Sequence, residues 1–248
     1  MEEAGNAFPE SSNSRSLREQ AVRLLARQHA IGICHQDVHL ENLLVAENTL
    51  YSIDASALRV RNRPLGKRAS LANLGLFLGQ FFPKFDSDMK QLLDLYAHSR
   101  GWDTGFRDLA FLHSYVRQTR DKRRHRFLAK IYREGSVFGW LERNGIRSIY
   151  NKQWLSEELQ RLLLSPQQAF SDDGTQYIKR GNTSTLVRAT IDGRRVVIKR
   201  YNIKGRWHGL RRALRRTRAS ISWHNAHLLR FYGIDTPTPI AMIERRVG

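Results

Sequence analysis

Residues 32–45 read GICHQDVHLENLLV, and residues 46–54 continue as AENTLYSID. The stretch contains a His-x-Asp unit that ends on Asp37, then Asn42, then two short apolar runs separated by a turn that end on Asp54. Phosphoryl-transfer loops use this pattern because one carboxylate accepts the proton of the attacking hydroxyl, while an amide oxygen and a second carboxylate hold metal ions. We expect the apolar runs to pair as a hairpin that brings Asp54 beside Asp37 and Asn42. The alternative is a chance match in an ordinary loop and hairpin.

The composition is that of a globular protein. The chain has 248 residues, of which 41% are hydrophobic and 10% aromatic, enough for one or two cored domains and too many aromatics for bulk disorder. The single cysteine, Cys34, rules out an intrachain disulfide and fits a reducing compartment. No apolar run approaches the roughly 18 residues that a membrane span needs, and the acidic start does not resemble a secretory signal. We therefore expect a soluble, cytoplasmic chain.

Positive charge is the unusual property of this sequence. Lys and Arg number 42 against 23 Asp and Glu, a net charge of +19, and residues 168–248 hold 17 of the basic residues against 5 acidic ones. Such a field attracts polyanions, of which three kinds compete: nucleic acid, an anionic membrane surface, and a phosphorylated or acidic-sugar substrate. Charge alone does not choose among them.

The first half of the chain has the apolar spacing of helices around the loop. Residues 1–15 are a polar, disordered lead-in, and residues 16–29 form a helix that Gly32 ends with a left-handed cap. Residues 55–64 have no clear period and are expected to form a loop. Further helices of a bundle are expected at 71–82, 86–98 and 108–117.

Two runs are strongly basic. Residues 117–133 carry eight Lys or Arg with helical apolar spacing, which indicates an exposed basic helix that is either simply solvated or a specific anion site. Residues 139–166 are expected to be one or two helices that connect two units. Residues 204–218 form a second basic amphipathic helix, suited to an anionic membrane face or a nucleic-acid backbone. A helix at 219–232 and a strand at 240–243 complete the pattern.

Residues 177–201 have the spacing of strands rather than helices. A polar loop interrupts them first, and Asp192-Gly193 then gives a strong hairpin signal. The amide groups of the polar loop are suited to phosphate binding; its residues are Gly181, Asn182, Thr183 and Ser184. Lys199 follows three apolar residues, and a Lys in a strand core needs an anionic partner. The alternative is an edge strand from which Lys199 faces water.

These residues resemble the bacterial lipopolysaccharide core kinases, the Kdo and heptose kinase family of the protein-kinase-like fold. The stretch from Gly32 to Asp54 is similar to the catalytic and metal motifs of that family, and most of residues 16–138 fits its helical C-terminal lobe. Four later segments resemble the N-terminal, ATP-cradling lobe: GNTSTLVR, VVIKRYN, WHGLRRAL and GIDTPTP.

The resemblance implies an α+β fold in which a mainly helical catalytic lobe, 16–138, precedes a helical connector, 139–166, and a small antiparallel-sheet nucleotide lobe, 167–248. It implies a kinase that uses ATP and Mg²⁺ and transfers the γ-phosphate to a sugar hydroxyl of the lipopolysaccharide core or lipid A. By resemblance, Asp37 and His35 are catalytic, Asn42 and Asp54 are metal ligands, and Lys199 pairs with phosphate beside the loop Gly181 to Ser184.

The order of the two lobes is reversed relative to the family. Either the chain spans the junction of two tandem kinase domains or it is a permuted single kinase, and the lobes pair within one chain or between chains. Residues 200–243 contain no Glu, although the family pattern places one on the helix after the Lys strand; Ser222 stands near that position.

A second function fits the same charge pattern: an inactive, basic pseudokinase or fragment that binds an anionic membrane or nucleic acid. Few aromatic residues interleave the basic runs, which makes nucleic acid the less favoured partner. For a kinase, the expected partner is the anionic glycolipid, reached from the cytoplasm by peripheral contact of the basic helices with the inner face of the inner membrane.

Overall fold

The computed structural model describes residues 12–47, 49–143, 145–171, 175–202 and 216–245. The protein is α+β, with small antiparallel sheets. It divides into two compact units: unit 1 is residues 1–125 with 231–233, and unit 2 is residues 126–230 with 234–248. Most of the expected lead-in, 1–15, and of the expected basic helix, 204–218, lies outside the described residues.

Unit 1 is mainly helical around the loop that the sequence singles out. Its elements are α1 (Ser12–Ala30), β1 (Ile33–His35), β2 (Leu43–Ala46), β3 (Thr49–Ser52), β4 (Leu58–Val60), α2 (Lys67–Leu78), α3 (Met89–Arg100) and α4 (Phe106–Lys130), the last of which continues into unit 2. β2 pairs antiparallel with β3, and β1 pairs antiparallel with β4. Apolar side chains of α1, α2 and α3, with two from α4, form one core that contains Leu74, Phe77 and Leu93.

The helices of unit 1 follow the apolar spacing, with shifted ends. α1 begins four residues before the expected start, inside the segment taken as lead-in. The helices expected at 108–117 and 117–133 are one continuous helix, because no Gly or Pro interrupts residues 106–130. Residues 58–60, expected as loop, form β4, since β1 supplies a pairing partner that a local pattern does not reveal.

In its described residues, unit 2 combines two small sheets with two helices besides the end of α4. Its elements are β5 (Phe138–Arg143), β6 (Ile146–Asn151), α5 (Glu157–Leu164), β7 (Gln176–Arg180), β8 (Ser184–Ile191), β9 (Arg194–Tyr201), α6 (Arg218–Phe231) and β10 (Ala241–Arg245). One sheet has the order β10-β6-β5 and the other β7-β8-β9, all pairs antiparallel. The first contributes Phe138, Ile149 and Met242 to a core with Trp223 of α6, and the second packs Ile191 and Val196 in a cluster that includes residues of α5.

The helical connector expected at 139–166 is wrong over its first half. Residues 138–143 and 146–151 form the β5–β6 hairpin, and only α5 is helical by more than one turn. Its Ser156 N-cap accepts a hydrogen bond from the Leu159 amide at 3.2 Å, with Glu157 and Glu158 in the first turn. β6 pairs with the late strand β10, which holds the hairpin in a sheet.

The strands expected at 177–201 are confirmed. Asp192 and Gly193 have φ of 48° and 72°, the conformation of a two-residue hairpin turn with both central residues left-handed. The helix expected at 219–232 is α6, and the strand at 240–243 is β10. Within the described residues, every helix is too short or too polar to cross a bilayer.

Candidate functional site

The loop after β1 brings Asp37 and Asn42 together. The Asn42 side-chain amide donates a 3.0 Å hydrogen bond to the Asp37 carbonyl, closing the loop across five residues. A 3₁₀ turn, Leu40–Asn42, lies between them, and the His39 ring accepts from the Glu41 amide at 3.3 Å. The Asn42 side-chain nitrogen donates to the Asp37 carbonyl, and the side-chain oxygen can still accept from, or coordinate, a ligand.

The β2–β3 hairpin returns the chain to Asn42. The register pairs Leu43 with Ser52, and the Ile53 amide donates to the Asn42 carbonyl at 2.8 Å. Asp54 is the next residue, so the hairpin returns the backbone at Asp54 to the neighbourhood of Asn42.

Asp54 has an unusual backbone conformation. Its φ is 59° and its ψ is 70°, the left-handed region that few non-glycine residues adopt. One carboxylate oxygen, Oδ1, accepts from the Ser56 amide at 3.3 Å and from the Ser56 hydroxyl at 2.5 Å. In the described part of the chain the other oxygen has no hydrogen bond. Backbone strain of this kind concentrates at functional sites.

The predicted site residues differ in exposure. Asp37 and Asp54 are exposed, whereas the His35 side chain is only 3% exposed. Neither ring nitrogen of His35 has a hydrogen-bond partner among the described residues. A buried ring does not touch a substrate, so His35, expected to be catalytic, is placed to support the loop from inside.

Two buried amides that the sequence analysis did not single out hold this loop. Asn73 of α2 donates to the His35 carbonyl at 2.8 Å. Gln80, just after α2, accepts from the Leu40 amide at 3.1 Å and donates to the Val38 carbonyl. The sequence contains a signal for them: they are the polar residues seven apart, and hence on one helix face, in the otherwise apolar run 71–82, together with two glycines.

Asn73 also connects the loop to a buried hydrogen-bond chain. Because its nitrogen donates to His35, its oxygen must accept from His29 Nε2, 2.9 Å away. His29 Nδ1 then accepts from the Tyr96 hydroxyl at 2.7 Å, and the Tyr96 oxygen accepts from Arg100 at 3.1 Å. Burial lowers the pKa of His29 to about 4, with Arg100 acting in the same direction. His29 is therefore neutral at pH 7, with its proton on Nε2.

Arg123 of α4 is a further charged group beside the loop. Burial lowers the pKa of this guanidinium, and the negative charges of Asp37 and Glu41 oppose the shift. A partly buried cation thus lies near the expected catalytic carboxylate. The sequence predicts the basic helix but does not indicate which of its residues faces the loop.

The expected phosphate loop in unit 2 is a tight turn between β7 and β8. The Gly181 amide donates to the Ser184 carbonyl at 3.1 Å, and Asn202 donates to the Gly181 carbonyl through its side chain at 2.8 Å. Arg218 of α6 donates to the Thr183 carbonyl at 3.0 Å. Among the described residues, the amides of Asn182 and Thr183 have no acceptor, so they remain available to a ligand.

Lys199 does not lie in a strand core. It is exposed on β9, an edge strand of the described sheet, and its ammonium is 4.9 Å from the centre of the Tyr201 ring. The alternation of β9 turns Val196 inward and Lys199 outward. No carboxylate of the described residues lies within 4 Å of Lys199; the Ser222 hydroxyl, near the position of the expected Glu, bonds the Tyr201 hydroxyl instead.

The outer face of the β7-β8-β9 sheet joins apolar and basic side chains. The register places Leu186 opposite Lys199, and Arg188 opposite Val197, which is 59% exposed. Lys179 of β7 lies opposite Leu186 on the same face. This surface offers an apolar platform bordered by cations, the combination that a nucleobase and its phosphates require.

The metal ligands expected from the sequence are oxygen groups of unit 1. The described residues contain no group of three or more His, Cys, Asp or Glu side chains that could hold a metal ion. Asn42 and Asp54 nevertheless fit Mg²⁺, which takes one or two protein oxygens together with substrate phosphates and water rather than a full protein cage. Comparisons of the chain with protein-family models, with curated proteins and with solved structures found no match.

Proposed function

We propose that the chain is a protein-kinase-like phosphotransferase related to the lipopolysaccharide core kinases, and that it transfers the γ-phosphate of ATP to a sugar hydroxyl of the lipopolysaccharide core or lipid A. The observation that carries the proposal is the arrangement of Asp37, Asn42 and Asp54. The Asn42 side chain bonds the Asp37 carbonyl, and the Asn42 carbonyl accepts from the residue before Asp54. Three oxygen-bearing groups are thereby gathered at one exposed edge of unit 1.

Each residue has a distinct role in the proposed reaction. Asp37 orients the acceptor hydroxyl and accepts its proton, and Arg123 supplies a positive charge beside it. Asn42 and Asp54 hold Mg²⁺ through their free oxygens. When bound, the metal neutralises charge on the transferring phosphate. The left-handed backbone of Asp54 fixes the direction of its carboxylate before any ligand arrives.

The outer face of the β7-β8-β9 sheet supplies the proposed nucleotide contacts. Val197 and Leu186 support the base, and the free amides of the Gly181–Ser184 turn bind phosphate with Lys199. Among the described residues Lys199 has no carboxylate partner, so the nucleotide itself provides its counter-charge. The two lobes occur in reversed order along the chain. The proposal therefore has two forms: the lobes pair within one chain, or they pair between two chains.

The acceptor and the site of action follow from the positive charge. An anionic glycolipid is attracted by a net charge of +19, and basic helices that contact the inner face of the inner membrane would hold the protein at its substrate. Nucleic acid is a less favoured partner for the same charge.

A matched pair of aspartates tests the function. Asp54 and Asp192 are both exposed, and both have a positive φ that Asn tolerates. At a hundredfold excess over its Kd, a ligand stabilises by about 2.7 kcal/mol, which raises the Tm by about 5 °C or more. We expect Mg²⁺-ATP to give this rise in the wild type and in Asp192→Asn but not in Asp54→Asn.

No rise at millimolar Mg²⁺-ATP, or an equal rise in Asp54→Asn, would overturn the proposal for this chain. It would favour the second function, an inactive module that binds an anionic membrane. One observation supports that alternative: Lys122, Arg126 and Lys130 form an exposed stripe on α4 with no carboxylate within 4 Å among the described residues. Binding to anionic vesicles that falls steeply with salt and ignores nucleotide would then be expected.

A further inference from the structure

A cavity in unit 1 lies apart from the proposed active site. Its volume is about 340 Å³, and its lining comes from three elements, α1, β3 and α3. None of Asp37, Asn42 and Asp54 belongs to it. The volume is at the lower end of the range for small-molecule sites, larger than a single ion needs. The residues that line it are Gln20, Arg23, Arg27, Thr49, Leu50 and Ser99.

Two arginines give this cavity its charge. Arg23 and Arg27 are exposed and one helical turn apart on α1, where like charges repel by a few tenths of a kcal/mol. No carboxylate of the described residues lies within 4 Å of either side chain. The preceding arginines of the same helix are paired: Arg15 lies 3.5 Å from a Glu19 oxygen, and Arg18 lies 3.0 Å from an Asp88 oxygen. The unpaired arginines are therefore those at the cavity.

The other lining groups indicate which chemical groups a bound anion would carry. The Ser99 hydroxyl donates to the Leu95 carbonyl at 2.9 Å, so its oxygen faces a ligand as an acceptor. Gln20 uses its side-chain nitrogen on Ser16, which leaves its oxygen as a second acceptor. Leu50, only 7% exposed, adds an apolar floor. The cavity thus offers two cations, acceptors for ligand hydroxyls, and a patch for carbon atoms.

We propose that this cavity is a second binding site, specific for a small phosphomonoester that carries hydroxyl groups. Arg23 and Arg27 bind the phosphate oxygens through charge-assisted hydrogen bonds, with the Thr49 hydroxyl beside them. Gln20 and Ser99 accept from the hydroxyls of the ligand. The same chemistry occurs in a free phosphorylated polyol and in a phosphorylated lipid headgroup.

The site has a direct structural connection to the metal-binding hairpin. Thr49 and Leu50 are the first residues of β3, the strand that leads to Asp54. An occupant therefore contacts the hairpin through this strand, and its binding does not require the metal ligands. This separates the inference from the proposed function.

Titration calorimetry with glycerol 3-phosphate tests the site. We expect saturable binding at one site per chain in the wild type, weakened about tenfold or more in Arg23→Gln/Arg27→Gln, because two charge-assisted contacts are lost. Arg15→Gln is the control: it removes one positive charge from the same helix, at an arginine that already has a partner, and should leave the affinity unchanged. Both cavity arginines are exposed, so the double variant is expected to keep the wild-type circular dichroism spectrum.

Two further measurements locate the ligand source and separate the two sites. Sedimentation with phosphatidylcholine vesicles containing phosphatidylinositol 4-phosphate assigns a lipid source if the double variant reduces binding and glycerol 3-phosphate competes. Calorimetric binding without vesicle binding assigns a soluble source. Asp54→Asn should keep the response to glycerol 3-phosphate, and the double variant should keep any response to Mg²⁺-ATP. Absence of saturable binding to the wild type, or equal affinity in the double variant, would refute the site.

Discussion

Only one proton arrangement satisfies every hydrogen bond around His29. Asn73 and Tyr96 together require the proton on Nε2, and a second proton on Nδ1 would face the Tyr96 hydroxyl, whose oxygen already accepts from Arg100. Protonation of His29 on Nδ1 therefore removes the hydrogen bond that this nitrogen accepts from Tyr96, while the bonds from Nε2 to Asn73 and from Asn73 to the His35 carbonyl are kept.

This network predicts a loss of stability in acid. The pKa of His29 is about 4 when folded and 6.5 when unfolded, so between these values the unfolded chain binds more protons. The free energy of unfolding should decrease as the pH falls from 6.5 to 4, by on the order of 3 kcal/mol from His29. His29→Gln, which cannot titrate, should flatten this part of the curve in urea unfolding, whereas the exposed His98→Gln should not. Equal slopes in all three proteins would contradict the prediction.

Single residues were predictable where chemistry demands a residue type. Asp37, Asn42 and Asp54 are singled out by residue type and spacing, and hydrogen bonds join Asn42 to Asp37 and to the residue before Asp54; their roles stay a prediction. The roles of Asn73 and Gln80 are not predicted from the sequence. An apolar run indicates a buried helix, and it does not indicate which backbone groups its few polar side chains bind. The sequence allows Lys199 either in a strand core or on an edge strand facing water. In the structure the alternation of β9 places it on the exposed face.

The connection from α1 to β1 has no room for a side chain at Gly32. Gly32 has φ of 82°, and a Cβ there would lie 2.3 Å from the Arg61 carbonyl oxygen and 2.6 Å from that of Arg63. Both are backbone atoms of the segment that follows β4, and a backbone carbonyl cannot rotate aside as a flexible side chain can. The Arg61 amide donates back to the Gly32 carbonyl at 3.0 Å, so the two segments are joined as well as close.

A pair of glycine variants separates the two costs at this position. Gly101 also has a positive φ, 63°, but a Cβ there would meet nothing within 4 Å. Gly101→Ala should cost about 1 kcal/mol of unfolding free energy, the penalty of the left-handed backbone alone. Gly32→Ala should cost about 3 kcal/mol or more, because steric overlap is added. Equal losses in thermal or urea unfolding would mean that the two segments move apart freely.

Elements with a strong local signal were predicted, and those that depend on distant partners were not. The β8–β9 hairpin follows from Asp192-Gly193, and α2 and α3 follow from apolar spacing. The apolar residues of 139–166 predict helix where the β5–β6 hairpin forms, although Asn144-Gly145 is a hairpin dipeptide; Gly145 has φ of 72°. β4 is too short to show a period.

At the scale of the whole molecule, the chain has separate apolar cores in its two units. Unit 1 is built around a single cluster that contains Leu74, and unit 2 around clusters of its own, one of which contains Ile149. Both side chains are fully buried. The sequence predicts a helical unit at 16–138, a connector at 139–166 and a sheet unit at 167–248. In the structure β10, late in the chain, pairs with β6, so residues 146–151 of the expected connector belong to unit 2.

Separate cores predict separate responses to core truncation. Leu74→Ala and Ile149→Ala each remove a fully buried side chain, at a cost of about 2–5 kcal/mol. Hydrogen exchange of the slowest amides should accelerate by roughly 30-fold or more in unit 1 for the first variant and in unit 2 for the second. Acceleration of both units by either variant would instead show one cooperative unfolding unit.

The buried amides of Asn73 and Gln80 set a limit on engineering. They occupy the carbonyls of His35 and Val38 and the amide of Leu40, groups that residues 32–54 do not satisfy by themselves. Transplanting that segment alone onto another scaffold would leave these groups unpaired in the host. A functional graft has to carry the α2 helix with the loop, so the smallest portable module is the loop together with its helical support.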